Sequence, residues 1–236
     1  MIYKTRGIVF RFTKYGDTSI IVNIFTELFG LQSYIVNSIR AKSAKSRIAL
    51  YQPLTLLDLV VYHKENVSIA RIKEVQCAHP FATLHTDVKK STLALFLNEI
   101  LNKSIREQSH AAEICSFLFD SLEVLDRLHH GYENFHLIFL IKLSRFLGFG
   151  PHSTDEVLAG RMADAQEEAV LRNLLTADFS EQVVMNNNQR RAILNFILQF
   201  YAQHIENFGE VRSVHVLREV LGRTQKYLPL DFTNPR

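Results

Sequence analysis

The sequence contains few of the residues that would indicate a disulfide framework or a metal site. Its two cysteines, Cys77 and Cys115, are far apart and form no Cys-x-x-Cys pair. This pattern is typical of a reducing compartment, where both thiols are expected to act as small buried hydrophobes. No third histidine or cysteine lies at ligand spacing from His129 and His130, which diverge on a helix because they are adjacent. We therefore predict no metal.

Long hydrophobic runs and secretion signals are also absent. The strongly apolar run 137–141 is bounded by His136 and Lys142 and is too short to span a bilayer. Cations at positions 4, 6 and 11 interrupt the N-terminal apolar stretch before a signal peptide could form. These absences predict a cytoplasmic protein with no membrane partner.

The motifs of common enzyme classes are missing as well. No GxGxxG, GxxxxGK[ST] or GxSxG occurs. A hydrolase site around His152, Asp155 and Glu156 is the best enzymatic alternative, but no nucleophile or oxyanion donor accompanies it. We predict no catalytic residue, no cofactor and no enzymatic activity.

Acidic residues are absent between Glu27 and Asp58, and this interval contains the most basic stretch of the chain. Four cations fall within eight positions, namely Arg40, Lys42, Lys45 and Arg47. The residues between them are mostly small, so we predict a basic loop, residues 38–47, that meets an anionic partner such as a phosphate backbone. A solvated loop without a partner is the alternative. Residues 1–80 as a whole carry eleven Lys and Arg against five Asp and Glu.

Residues 1–80 have the pattern of a small β-barrel. Five apolar and β-branched stretches are predicted strands, at 1–12, 18–26, 31–36, 55–62 and 67–75. Gly7 is expected to mark a bulge or barrel corner. Five short strands in about 75 residues favour an OB-fold, which binds single-stranded nucleic acid with cations for the phosphates and aromatic rings for the bases.

Further candidate contacts lie on these predicted strands. The candidate cations are Arg6, Arg11, Lys14, Lys64 and Arg71. The candidate stacking residues are Tyr15, Tyr34 and Tyr51, for which packing in the barrel core is the alternative.

Residues 81–236 change to helical periodicity, so the fold class is α+β, with an all-α domain after the barrel. Helices are predicted from the apolar spacing at 93–101, 114–128, 133–147, 165–175, 190–208 and 211–221, with a loop at 152–164. The third is apolar nearly all round and is predicted to be central.

Several short words, in this order along most of the chain, resemble the RecO family of bacterial recombination mediators. They are Gly7-Ile8-Val9, Tyr15-Gly16-Asp17, Leu50-Tyr51-Gln52-Pro53-Leu54, Leu147-Gly148-Phe149-Gly150-Pro151 and Leu217-Arg218-Glu219-Val220-Leu221. The resemblance implies an N-terminal OB-fold and a helical domain. It also implies binding of single- and double-stranded DNA, strand annealing, and RecA loading together with RecR on DNA covered by single-strand-binding protein.

Carried onto this sequence, the resemblance assigns DNA contacts to the four loop cations, with Arg11 and Lys14 beside them. Some family members hold zinc through four cysteines after the Gly-Pro, but residues 152–185 contain no cysteine here, so no zinc finger is expected. A surface for the acidic, hydrophobic tail of the single-strand-binding protein could include Phe135, His136, Phe139 and Lys142, although these residues would also suit a core.

A protein-interaction scaffold is the alternative function. Its barrel would dock a protein, and its basic loop would be incidental.

Overall fold

The computed structural model describes residues 1–37, 48–64, 67–106 and 110–222. Five strands form the N-terminal part, and they are β1 (Ile2–Tyr15), β2 (Ser19–Thr26), β3 (Gly30–Val36), β4 (Leu56–Tyr62) and β5 (Ala70–Cys77). They close into a barrel in the order β1-β2-β3-β5-β4, with β3 and β5 parallel and the other pairs antiparallel. The predicted five-stranded barrel is confirmed.

Strand β1 is long enough to pair with its two neighbours mostly through different halves. Its first half pairs with β4, and its register with β2 shifts between Val9 and Arg11. The expected irregularity is therefore near residue 10 and not at Gly7. A Cβ at Gly7 would lie 2.7 Å from the side chain of Ile24, so this glycine allows the strands to approach closely.

On the side of the barrel that contacts the helices, both faces of the wall are buried. Val9, Ile24 and Leu57 point into the barrel. Ile8 and Phe25 belong instead to a larger apolar core that they share with the helices. Alternate residues of one strand therefore fill two cores, which explains the apolar run Ile8-Val9-Phe10 in β1.

Seven helices follow among the described residues. They are α1 (Val88–Ser104), α2 (Ala111–Arg127), α3 (Phe135–Phe146), α4 (Thr154–Leu158), α5 (Ala165–Thr176), α6 (Asn187–His204) and α7 (Ser213–Gly222). None of these described helices is both long enough and apolar enough to cross a membrane.

Several predicted boundaries were wrong, and two of them are explained by local structure. The stretch 152–164, expected as a loop, contains the short helix α4, which begins after the N-cap Ser153. Helix α6 ends at His204, four residues before the predicted end, because Ile205 adopts an extended conformation and Asn207 a positive φ of 55°. A 3.6-residue apolar spacing that continues through a turn cannot reveal such a stop.

Helix α3 is central, as predicted. Its side chains are buried almost all round, including Leu137, Phe139 and Leu140. The hydroxyl of the buried Tyr201 on α6 donates a hydrogen bond to the carbonyl of Leu140 at 2.6 Å.

Candidate nucleic-acid interface

The basic segment 38–47, with Arg40, Lys42, Lys45 and Arg47, lies outside the described residues, but both of its neighbours are fixed on the barrel. Before it, Asn37 accepts a 3.1 Å hydrogen bond from the hydroxyl of Ser19. After it, residues 49–51 form a 3-10 turn, and the N–H of Leu54 donates to the carbonyl of Val9 at 2.7 Å. The segment that carries the four predicted cations therefore follows the end of β3 in the chain. It precedes a turn that is hydrogen-bonded to the middle of β1.

Lys14 and Arg71 are exposed at the rim where β3 ends. Lys14 pairs with Ile20, which pairs with Val36, and Arg71 is the partner of Ile35. Lys14 and Arg71 lie three strand spacings apart, about 14 Å when followed along the curved barrel wall through β2 and β3. Arg11 is also exposed, farther back along β1 beside Asn23.

These three barrel cations, Arg11, Lys14 and Arg71, form no ion pair with another described residue. Their charge is therefore not neutralised within the described part of the protein.

The three candidate stacking tyrosines have different environments. Tyr15 follows Lys14 and is 52% exposed. Tyr34 and Tyr51 are each only 1% exposed, and burial raises the pKa of Tyr34 to about 12. Tyr51 closes the barrel interior from the 3-10 turn, so its ring does not face solvent. Its burial argues against the predicted DNA contact and for the core role that was the alternative.

Arg6, another candidate cation, is engaged elsewhere. Its guanidinium donates two hydrogen bonds to the Glu27 carboxylate, at 2.8 and 3.2 Å, and lies 4.9 Å from the centre of the Phe119 ring on α2. The hydrogen bond from Arg6 also lowers the pKa of Glu27. Arg6 therefore joins the barrel to the helices, which a sequence pattern could not reveal because Phe119 is distant in the chain.

The predicted partner surface on α3 is mostly buried. Phe135, His136 and Phe139 are core residues, and burial lowers the pKa of His136 to about 3. Their burial argues against a surface role, because the first two turns of the central helix are covered by the rest of the helical core. Lys142 alone of the four reaches the surface, where its ammonium lies 3.1 Å from the Asp178 carboxylate.

The residues of the enzymatic alternative have a structural role. Glu156 accepts a 2.9 Å hydrogen bond from the backbone N–H of His152, a contact that holds the start of α4. In the described ranges, no group of three or more histidine, cysteine or acidic residues could hold a metal ion.

Comparison with known proteins covers nearly the whole chain. Residues 1–81 match the family model for the N-terminal part of recombination protein O, and residues 85–167 match that for its C-terminal part. The DNA repair protein RecO of Flavobacterium psychrophilum is 34% identical, with 93% of this chain and 99% of that protein aligned. The chain belongs to the RecO family.

Two further RecO proteins are also similar to this chain. The DNA repair protein RecO of Bacteroides fragilis is 34% identical, and that of Porphyromonas gingivalis is 25% identical, over 93% and 92% of this chain. Membership of the RecO family makes this a DNA repair and recombination protein, and it identifies the barrel as the OB-fold of that family. The C-terminal RecO model ends within α5, so α6 and α7 lie beyond the matched residues.

The linker between β5 and α1 is a further candidate site of the RecO chain, and the sequence motifs did not identify it. The linker between β5 and α1 places three aromatic rings within seven residues, His79, Phe81 and His85. The closeness of these rings in the sequence was the available signal.

Proposed function

We propose that the protein is a non-enzymatic recombination mediator of the bacterial cytoplasm, associated with the nucleoid. It binds single- and double-stranded DNA through its barrel and promotes annealing of complementary strands. Together with RecR it loads RecA onto DNA covered by single-strand-binding protein. These activities need no bond chemistry, since charge neutralisation and docking are sufficient.

The observation that carries this proposal is the unneutralised positive charge at one rim of the barrel. Lys14 and Arg71 are exposed there without carboxylate partners among the described residues, and the basic segment begins next to them. Tyr15 adds an exposed ring at the same rim. Cations near an exposed ring are the usual means by which OB-folds bind single strands. Screening the repulsion between two phosphate backbones would also support annealing.

Charge reversal tests this proposal. We expect Arg40→Glu, Lys42→Glu, Lys45→Glu and Arg47→Glu together to remove most oligonucleotide binding, measured by fluorescence anisotropy. In variants with only one or two of these substitutions, each lost phosphate contact should reduce the slope of log K against log salt by about 0.7 for single strands. Reversal of the exposed helical cations Arg127 and Arg172 is the control and should leave affinity nearly unchanged. Unchanged affinity in the fourfold variant would exclude the segment as the contact.

The helical half is proposed to take the acidic tail of the single-strand-binding protein. A surface groove of about 620 Å³ beside Lys142 supports this better than the buried residues of α3 do. Lys142 and Arg145 supply positive charge, and Phe117, Phe146 and Phe179 supply apolar surface. Three acidic residues, Glu113, Asp120 and Asp178, also line the groove, and Asp178 pairs with Lys142, so an acidic tail has to displace Asp178 from this cation.

A tail-peptide titration tests this site. Lys142→Glu should weaken binding of the peptide about tenfold, because a cation that meets a carboxylate becomes a repelling charge. Binding of a bare oligonucleotide should not change. Equal peptide affinity for the variant and the wild-type protein would contradict the site.

The scaffold alternative also has an observation in its favour. Exposed apolar side chains gather where β1 begins and β4 ends, including Ile2 and Tyr62, which are paired, and Ile69. A pull-down treated with nuclease separates the two functions. Protein partners retained by a protein that does not shift an oligonucleotide would favour the scaffold.

A further inference from the structure

A groove of about 530 Å³ lies between the barrel and α1. The 3-10 turn and Pro53 form its barrel side, the end of β5 contributes Cys77, and α1 contributes Leu95 and Asn98. The volume is within the range of small-ligand sites. Leu95 is 53% exposed, so a large apolar side chain is left open to solvent on the helix side.

Three rings of the linker lie along this groove. The centres of His79 and Phe81 are 5.4 Å apart and those of Phe81 and His85 are 5.6 Å apart, both in edge-to-face contact. Behind them, the Asp126 carboxylate is 3.8 Å from Nε2 of His79. The rings are therefore packed against one another and held from behind, which limits the entropy lost when a ligand stacks on them.

None of the described residues that line the groove is Asp, Glu, Lys or Arg, although one of them closely follows the most basic stretch of the sequence. Ala49 lines it and follows Arg47 by two positions. A ligand that matches both features has a strongly anionic backbone and flat neutral groups beside it.

We propose that this groove receives unpaired bases of single-stranded DNA. This inference rests on the proposed DNA-binding function and adds to it a source of preference for single strands. Bases in a duplex are stacked and paired, so they cannot enter the groove, whereas the faces of unpaired bases can pack on the linker rings. Gln52, Ser91 and Asn98 supply polar groups at the edge.

The two cysteines provide a direct test. Cys77 is exposed and lines the groove, whereas Cys115 is buried, so a thiol reagent should modify Cys77 first. A saturating thymidine oligonucleotide at low salt should slow this modification at least fivefold. An abasic strand of equal length, which has the phosphates without the bases, should protect much less. As a control, a cysteine at Val184, a position that is 89% exposed on the helical half, should react at the same rate with and without DNA.

Variants of the rings provide the second measurement. Because stacking of one base on a ring is worth about 1–3 kcal/mol, His85→Ala should weaken single-strand binding roughly fivefold or more. Binding of the abasic strand and of duplex should stay the same. His130→Ala, which changes an exposed histidine away from the groove, is the matched control. Phe81→Leu keeps an apolar side chain but removes the ring. It should also weaken single-strand binding without changing the binding of the abasic strand or of duplex.

The outcomes separate this inference from the function on which it rests. If the wild-type protein binds no oligonucleotide, the proposed function fails. If it binds, but Cys77 stays fully reactive and His85→Ala binds normally, the groove inference is overturned and the DNA function stands. Protection of Cys77 that depends on protein concentration without DNA would make the groove an interface between copies, which also overturns the inference.

Discussion

Individual buried polar residues show how closely this helical core is filled. His136 is 1% exposed on α3, and its Nδ1 has no hydrogen-bond partner among the described residues. Its ring packs at right angles to Phe96, with 5.7 Å between their centres. In this environment the imidazole is neutral, because burial and the nearby Arg190 lower its pKa to about 3.

Replacement of His136 should therefore change how stability depends on pH. The unfolded chain takes up a proton near pH 6.5 and the folded protein does so only near 3, so stability falls as pH drops between these values. At pH 5 this amounts to about 2 kcal/mol. We expect His136→Leu to flatten the curve between pH 6.5 and 4, measured by urea unfolding, while His130→Leu keeps it. An equally steep curve in His136→Leu would contradict the burial argument.

At the scale of elements, α2 holds the linker that leads from the barrel into the helices. The Asp126 carboxylate accepts hydrogen bonds from the backbone N–H groups of Ala82, Thr83 and Leu84, at 2.8–3.0 Å. Burial opposes its ionisation, but these donors outweigh burial and lower the pKa of Asp126. The ammonium of the buried Lys90 donates to the Asp126 carbonyl at 2.7 Å. The linker is therefore fixed by one helix end.

Asp126→Asn tests this arrangement. The amide group can replace only one of the two acceptor oxygens, so we expect a loss of about 1.5–3 kcal/mol in the free energy of unfolding at pH 7. Because the folded pKa is depressed, the contribution of the wild-type carboxylate is present above the unfolded pKa of about 3.9 and is lost as pH falls through the folded value. Asp120→Asn, on the exposed side of the same helix, should change stability by less than about 0.5 kcal/mol.

The order and approximate positions of the strands and helices could be predicted from the sequence. Strand and helix positions followed from period-two and period-3.6 apolar spacing, which is set by local geometry. Core packing of Tyr51 and of the α3 residues was among the alternatives that the sequence left open. The role of Arg6 could not be predicted, because it depends on Phe119, which is distant in the chain. The same limit applied to the groove, whose walls come from the linker, the 3-10 turn and α1.

At the scale of the whole molecule, the two parts share a core. Phe10 and Phe25 of the barrel are fully buried and stacked, with ring centres 5.7 Å apart, in the same apolar cluster as residues of α1 and α2. The sequence predicted two domains, residues 1–80 and residues 81–236. A barrel separated at that point would expose Phe25 and its neighbours to water, at a cost of about 1.5–3 kcal/mol for each large side chain.

The whole chain should therefore unfold as one unit. We expect Phe25→Ala to lower the free energy of unfolding by about 3–5 kcal/mol. Amide hydrogen exchange should rise in peptides of both β2 and α1, because the shared core loses contacts on both sides. Ile24→Val, which alters only the barrel interior, should cost about 0.5–1.5 kcal/mol. The contrary result is that exchange in Phe25→Ala rises in the barrel peptides while α1 and α2 keep their protection. The two parts would then unfold independently, as two thermodynamic domains with a boundary near residue 80.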